Sequence, residues 1–219
     1  MAARGEFDDR DELLPIRTRD ALVDLLLESL ACEGAEVHLE AALRFVRGDE
    51  RESISPRARE ALVAADLLDG AQARFAWHAT ARQHLEAYCT VVAGVPRGAE
   101  LRVRLEQARS LFAAGLYFEV HEVLEPAWME ADGEPRVLLQ GLIQAAAGWY
   151  HWTRGNRGGA RSLLSAAAEK LARAPASWSG FPVARVRHAV EGWRTWLAAE
   201  ADDDMPPLPL RGDGDESAS

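Results

Sequence analysis

His121 and Glu125 are the residues whose types and spacing best suit chemistry. They lie four residues apart in an apolar stretch, residues 111–128, that ends at Trp128. In a helix of 3.6 residues per turn, all three side chains would share one face. A histidine with a carboxylate one turn away can act as a general base. The two side chains together can also supply two ligands to a metal ion.

A second apolar stretch, residues 139–151, follows a short distance along the chain. Its polar side chains also recur at helical spacing, which predicts a second helix with a polar face. Two such helices, packed with their polar faces together, would enclose a small site. The polar residues of this second stretch are Gln140, Gln144 and His151.

The segment His121-Glu122-x-x-Glu125 invites comparison with the zinc-protease helix motif, in which two histidines one turn apart bind the metal. Glu125 stands at the second position, and His151 or Glu119 could serve as a third ligand. No established metal spacing is completed, so the sequence assigns no metal and no cofactor. The favoured interpretation is a buried His121–Glu125 pair that is hydrogen-bonded to the facing glutamines, because buried polar groups need partners.

Glu122 is expected on a different face from His121, in a separate ion pair with Arg136 or Arg109. Pro126 interrupts the hydrogen bonding of the same helix, so the sequence predicts a kink or an end there, with Trp128 displaced. No serine or cysteine stands in a nucleophile motif, and no glycine-rich loop follows a strand to bind phosphate.

Four ordered motifs carry a family resemblance. They are Leu111-Phe-x-x-Gly115, Phe118-Glu-x-His121-Glu-Val-x-Glu125-x-x-Trp128, Leu139-Gln-Gly-Leu-Ile-Gln144, and the segment from His151 to Gly155-Asn-x-x-Gly-Ala160. Residues 108–171 thereby resemble the bacterial and archaeal family called domain of unknown function 309. The resemblance implies a compact all-helical domain and brings no established activity. Its implied characteristic positions are His121, Glu122, Trp128, Gln140, Gln144 and His151.

Composition predicts a soluble, mainly all-α protein. Apolar residues make up 48% of the chain and charged residues 27%, and alanine and leucine outnumber the β-branched residues. The N-terminus has no apolar signal segment, and no run approaches the roughly 18 apolar residues of a membrane span. Cys32 and Cys89 have neither metal nor disulfide spacing and are interpreted as buried thiols, which favours the cytoplasm.

The chain order predicts four parts. Residues 1–15 form a flexible lead-in, 16–95 a small helical domain, 99–200 a helical bundle that carries the candidate site, and 201–219 a disordered acidic tail. Within the first domain, Arg74 to His78 alternates like a short strand, which resembles a winged helix-turn-helix unit. A helical extension of the bundle is the alternative. Residues 1–96 carry 18 acidic and 11 basic side chains, so nucleic-acid binding is not expected.

Several functions therefore remain open. The first is either a small ligand pocket or a structural polar lock, that is, a set of buried hydrogen bonds that holds two helices together. Its residues would be His121, Glu122, Glu125, Trp128, Gln140, Gln144 and His151. The second is a helical module that binds a protein partner or forms a homodimer through its tryptophans. A metal-dependent or general-base hydrolase is a third function, and a transcription-factor-like role of the first domain is a fourth. The sequence does not decide whether the protein is an enzyme.

Overall fold

A computed structural model describes residues 14–49, 54–68, 77–199, 205–208 and 210. The chain divides into two compact units, Met1–Ala99 and Glu100–Ser219. The described residues form helices and no β-strand, apart from one isolated antiparallel bridge between Trp178 and Phe181. The predicted all-α class is confirmed. Each helix within the described ranges is too short or too polar to cross a membrane.

The first unit contains four helices. They are α1 (Ile16–Ala31), α2 (Glu36–Arg47), α3 (Pro56–Ala64) and α4 (Trp77–Gly94). Helix α1 packs against the other three, and fully buried leucines such as Leu22, Leu39 and Leu85 fill the space between them. Ser55 caps α3 by accepting a hydrogen bond from the Ala58 backbone N–H at 3.2 Å, with Pro56 in the first turn.

Three expectations for this unit change. Trp77 and His78 begin α4, so the end of the predicted strand is helical, and its other residues lie outside the described ranges. Leu14, in the predicted flexible lead-in, is buried at 6% exposure, while residues 1–13 are outside the described ranges. Cys32 is exposed rather than buried, and Cys89 is half-buried; burial raises the pKa of the Cys89 thiol to about 11.

The second unit contains five helices. They are α5 (Leu101–Ala113), α6 (Tyr117–Glu130), α7 (Gly133–Thr153), α8 (Arg157–Leu171) and α9 (Val183–Ala199). Helix α7 lies at the centre and packs against α6, α8 and α9. Glycines let α8 approach closely, because a Cβ added at Gly148 would lie 2.7 Å from Leu164 Cγ. These glycines of α7 therefore form part of a packing surface.

Pro126, at which the sequence predicted a kink or an end, does not end α6, which continues to Glu130. Helix α7 begins at Gly133, with Asp132 at the N-cap position and Pro135 in the first turn. In the tail that was predicted to be disordered, Leu210 is buried at 3% exposure. The other tail residues, except 205–208, lie outside the described ranges.

Candidate functional site

Two arginines hold the backbone of α6, the helix that carries the candidate site. Arg104 of α5 donates a hydrogen bond to the Val123 carbonyl at 2.9 Å. Arg136 of α7 donates from Nη1 to the carbonyls of Trp128 and Ala131, at 2.8 and 3.1 Å. The last carbonyls of a helix have no partner within the helix, so Arg136 closes the end of α6.

His121 and Glu122 form a hydrogen-bonded pair on α6. Nδ1 of His121 lies 2.9 Å from Oε1 of Glu122, and the two side chains are 32% and 27% exposed. The hydrogen bond from His121 to Glu122 raises the pKa of His121, and the negative charges of Glu122 and Glu125 add to the effect, while burial opposes it. The expectation that Glu122 faces away from His121 is wrong, because rotation of the side chains brings neighbours together.

Glu125 completes a three-residue group with this pair. One ligand atom each of His121, Glu122 and Glu125 lies within 4.8 Å of the others, and all three residues are partly buried. Within the described part of the chain, neither glutamate forms an ion pair with a lysine or arginine. Arg136, the expected partner of Glu122, instead binds the backbone at the end of α6. We refer to these three residues as the His–Glu–Glu group.

The glutamines do not complete a polar lock. Among the described residues, no hydrogen bond joins Gln140 or Gln144 to His121 or Glu125. Oε1 of Gln144 is buried and has no hydrogen-bond partner in the described ranges. The same is true of Nε1 of Trp128, whose ring lies 4.5 Å from the Arg136 guanidinium. These two buried polar atoms are thus left for a ligand or water to satisfy.

His151 has a separate structural partner. Its Nδ1 lies 2.9 Å from Nδ2 of Asn156, and Oδ1 of Asn156 accepts the Gly159 backbone N–H at 2.9 Å to cap α8. The rings of Phe118 and Tyr150 lie between the two histidines. Successive ring centroids are 6.4 Å apart from His121 to Phe118, 5.4 Å from Phe118 to Tyr150, and 6.3 Å from Tyr150 to His151. His151 is therefore not part of the His–Glu–Glu group.

Glu119, the other candidate third ligand, is buried at 2% exposure and lies outside the His–Glu–Glu group. The sequence could have predicted the burial of Glu119, because Glu119 shares a helix face with the apolar residues Val120 and Val123, and this face of α6 enters the core. The third carboxylate of the group comes from Glu122. Sequence spacing alone gave no reason to join Glu122 to His121, since neighbours in a helix diverge by about 100°.

Comparison with known proteins gives a single result. Neither the search of curated proteins nor the search of solved structures found a match to this chain. Residues 105–163 match a family model, and this range includes every residue of the candidate site. It spans most of α5, all of α6 and α7, and the first part of α8. The family that this model represents is described as Domain of unknown function (DUF309).

Proposed function

We propose that the second unit binds a divalent metal ion through His121, Glu122 and Glu125, and through that ion a small ligand. The observation that supports this most strongly is the approach of three ligand atoms to within 4.8 Å of one another. Glu122 is hydrogen-bonded to His121, Glu125 lies close to both, and no lysine or arginine of the described residues pairs with either carboxylate. A bound cation would offset the repulsion between the two negative charges.

The donor set suits a transition metal. One imidazole nitrogen and two carboxylate oxygens are ligands of zinc and of related divalent ions. Zinc–ligand distances are about 2.0–2.2 Å, so ligand atoms around one ion lie roughly 3–4 Å apart. The three atoms must therefore approach slightly, and the partly exposed side chains of Glu122 and Glu125 have the freedom to do so.

A ligand site accounts for this geometry better than a structural lock does. A lock must join two helices, whereas the His121–Glu122 hydrogen bond lies within α6. The pair is also about one-third exposed, so small molecules can reach it. Oε1 of Gln144 remains buried without a partner, which a lock would not leave.

The surroundings indicate what kind of ligand fits. Phe118 and Tyr150 lie beside His121, with ring centroids 5.4 Å apart, and both rings are partly exposed. A molecule with an anionic or carbonyl oxygen for the ion and a flat or apolar portion for the rings would satisfy both features. We therefore propose a small organic anion as the ligand class.

Calorimetric titration of the full chain with Zn²⁺ tests the proposal. Glu125→Gln removes one carboxylate ligand, and Glu130→Gln is the matched control, since it makes the same charge change on an exposed residue of the same helix. We expect Glu125→Gln to weaken binding by about 10- to 100-fold, as the loss of a group that supports a metal does. Glu130→Gln should bind as the wild type does. Equal affinity of both variants would disprove the site.

A further inference from the structure

Part of the C-terminal tail lies against α9, where Pro206 is beside Gly192 and Pro207 is bonded to Trp193. Its sequence there is Met205-Pro-Pro-Leu, then Leu210 after one intervening proline. Nε1 of Trp193 donates a hydrogen bond to the Pro207 carbonyl at 3.1 Å. Leu210 is buried at 3% exposure. We refer to residues 205–210 as the proline segment.

Three tryptophans of α7 and α9 form a cluster at this place. Ring centroids of Trp152, Trp193 and Trp196 lie 5.1–5.7 Å apart, each pair edge to face. The Arg157 guanidinium lies 5.3 Å from the Trp152 ring and 5.6 Å from the Trp196 ring. Trp152 and Trp196 are partly exposed, so the cluster continues beyond the part that the proline segment covers.

The chemistry of this contact is that of proline-rich peptide recognition. Proline lacks an N–H, and its ring restricts the chain to an extended helix whose carbonyls point outward. Aromatic grooves bind such chains by packing against the rings and donating hydrogen bonds to those carbonyls. Trp193 contributes such a donor, to the Pro207 carbonyl.

The helix surface has room for a proline ring. At Gly192, which precedes Trp193, an added Cβ would lie 3.7 Å from Pro206 Cβ, with no other atom of the described residues within 4 Å. A large side chain at this position would occupy the place of Pro206. Gly192 thus leaves open the surface on which Pro206 rests.

From these contacts we infer that the tryptophan cluster is a binding site for proline-rich peptides, and that the proline segment occupies it as an intramolecular ligand. A proline-rich segment of another protein would then bind by displacing the segment. The segment is joined to α9 by a short connection, so its effective concentration at the site is on the order of millimolar. Peptides with micromolar intrinsic affinity would bind the intact chain only weakly.

The test uses the full chain and a fluorescent peptide with the sequence of residues 203–212. Leu210→Asp in the chain places a charge at a buried position and should release the segment. Ala218→Asp makes a comparable charge change beyond the segment and is the control. We expect the Leu210→Asp chain to bind the peptide at least about tenfold more tightly than the wild type or the control chain. The Trp193 indole N–H resonance should shift on release and return when the peptide binds.

Two further measurements distinguish specific binding from nonspecific binding. A peptide with alanine in place of its three prolines should bind the Leu210→Asp chain at least about tenfold more weakly, because it loses the preformed extended shape. A Gly192→Leu chain should release the segment and also fail to bind the peptide. If Leu210→Asp unfolds the chain, Pro206→Ala/Pro207→Ala provides the released form. Equal peptide affinity of the released and control chains, or an unchanged Trp193 resonance on release, would overturn the inference.

Discussion

The imidazole of His121 is hydrogen-bonded to the carboxylate of its chain neighbour Glu122, with 2.9 Å between Nδ1 and Oε1. An ionised carboxylate only accepts hydrogen bonds, so Nδ1 carries the proton. In the neutral imidazole, this leaves the lone pair on Nε2. An ion held by His121 and Glu122 together would take the place of this hydrogen bond, because metal ligands must be deprotonated.

The first prediction concerns the pH dependence of stability. The pKa of His121 is raised in the folded protein, chiefly by the hydrogen bond with Glu122. The pair therefore stabilises the fold fully below the unfolded-state pKa of about 6.5, and this contribution is lost as the pH rises through the folded-state pKa. Denaturant unfolding should show Glu122→Gln to be more destabilising at about pH 5.5 than at about pH 8.5.

The control for this experiment is Glu130→Gln, which removes a carboxylate from the same helix without removing the partner of His121. Its effect on the free energy of unfolding should change less over this pH range. A Glu122→Gln effect that grows with rising pH would contradict the proposed role of the pair.

The second prediction concerns Arg136, whose Nη1 donates to three carbonyls at the end of α6 and whose guanidinium lies over Trp128. Arg136→Met keeps the apolar stem and removes these bonds. We expect a loss of about 1–2 kcal/mol in the free energy of unfolding, the range for hydrogen bonds from a charged donor. Urea denaturation measures it.

The matched control is Arg161→Met, since Arg161 is exposed on α8. This substitution should change stability by less than about 0.5 kcal/mol. If the two variants were equally stable, Arg136 would not be closing the end of α6.

The third prediction concerns the approach of α8 to α7 at Gly148. An alanine there would place Cβ 2.7 Å from Cγ of Leu164, which is fully buried and cannot swing aside. Overpacking lowers the free energy of unfolding by about 1–3 kcal/mol, whereas the higher helix propensity of alanine raises it by about 1 kcal/mol. Thermal unfolding should therefore show net destabilisation by Gly148→Ala.

Gly192→Ala provides the comparison, because its nearest contact would be an ordinary 3.7 Å. This variant should be as stable as the wild type or slightly more stable. A Gly148→Ala protein that gained stability to the same extent would show that the two helices can separate without cost.

Local sequence patterns predicted much of the helical fold. Ser55 and Asn156 are residue types that favour the N-cap position, and each caps a helix. Gly133 and Pro135 are residue types typical of turns, yet they lie in the first turn of α7. The first N–H groups of a helix need no partner within it, so proline costs little there.

The site was less predictable, because it depends on side-chain rotation and tertiary contact. Helical spacing brought His121 and Glu125 together, but it separated Glu122 from them. It also placed His151 on the polar face, where Asn156 became its partner instead. No local pattern in the sequence predicts the contact between Trp193 and Pro207, because it is a tertiary contact between two separate segments. Composition therefore predicted a disordered tail.

Nitrogen NMR of the imidazole rings in the full chain, with and without one equivalent of Zn²⁺, tests the central claim most directly. The chain has six histidines, and each ring reports separately whether it binds the ion. At about pH 8, we expect the His121 ring alone to shift to the metal-bound range. An unchanged His121 ring, with the ion bound at another histidine or not bound at all, would contradict the claim.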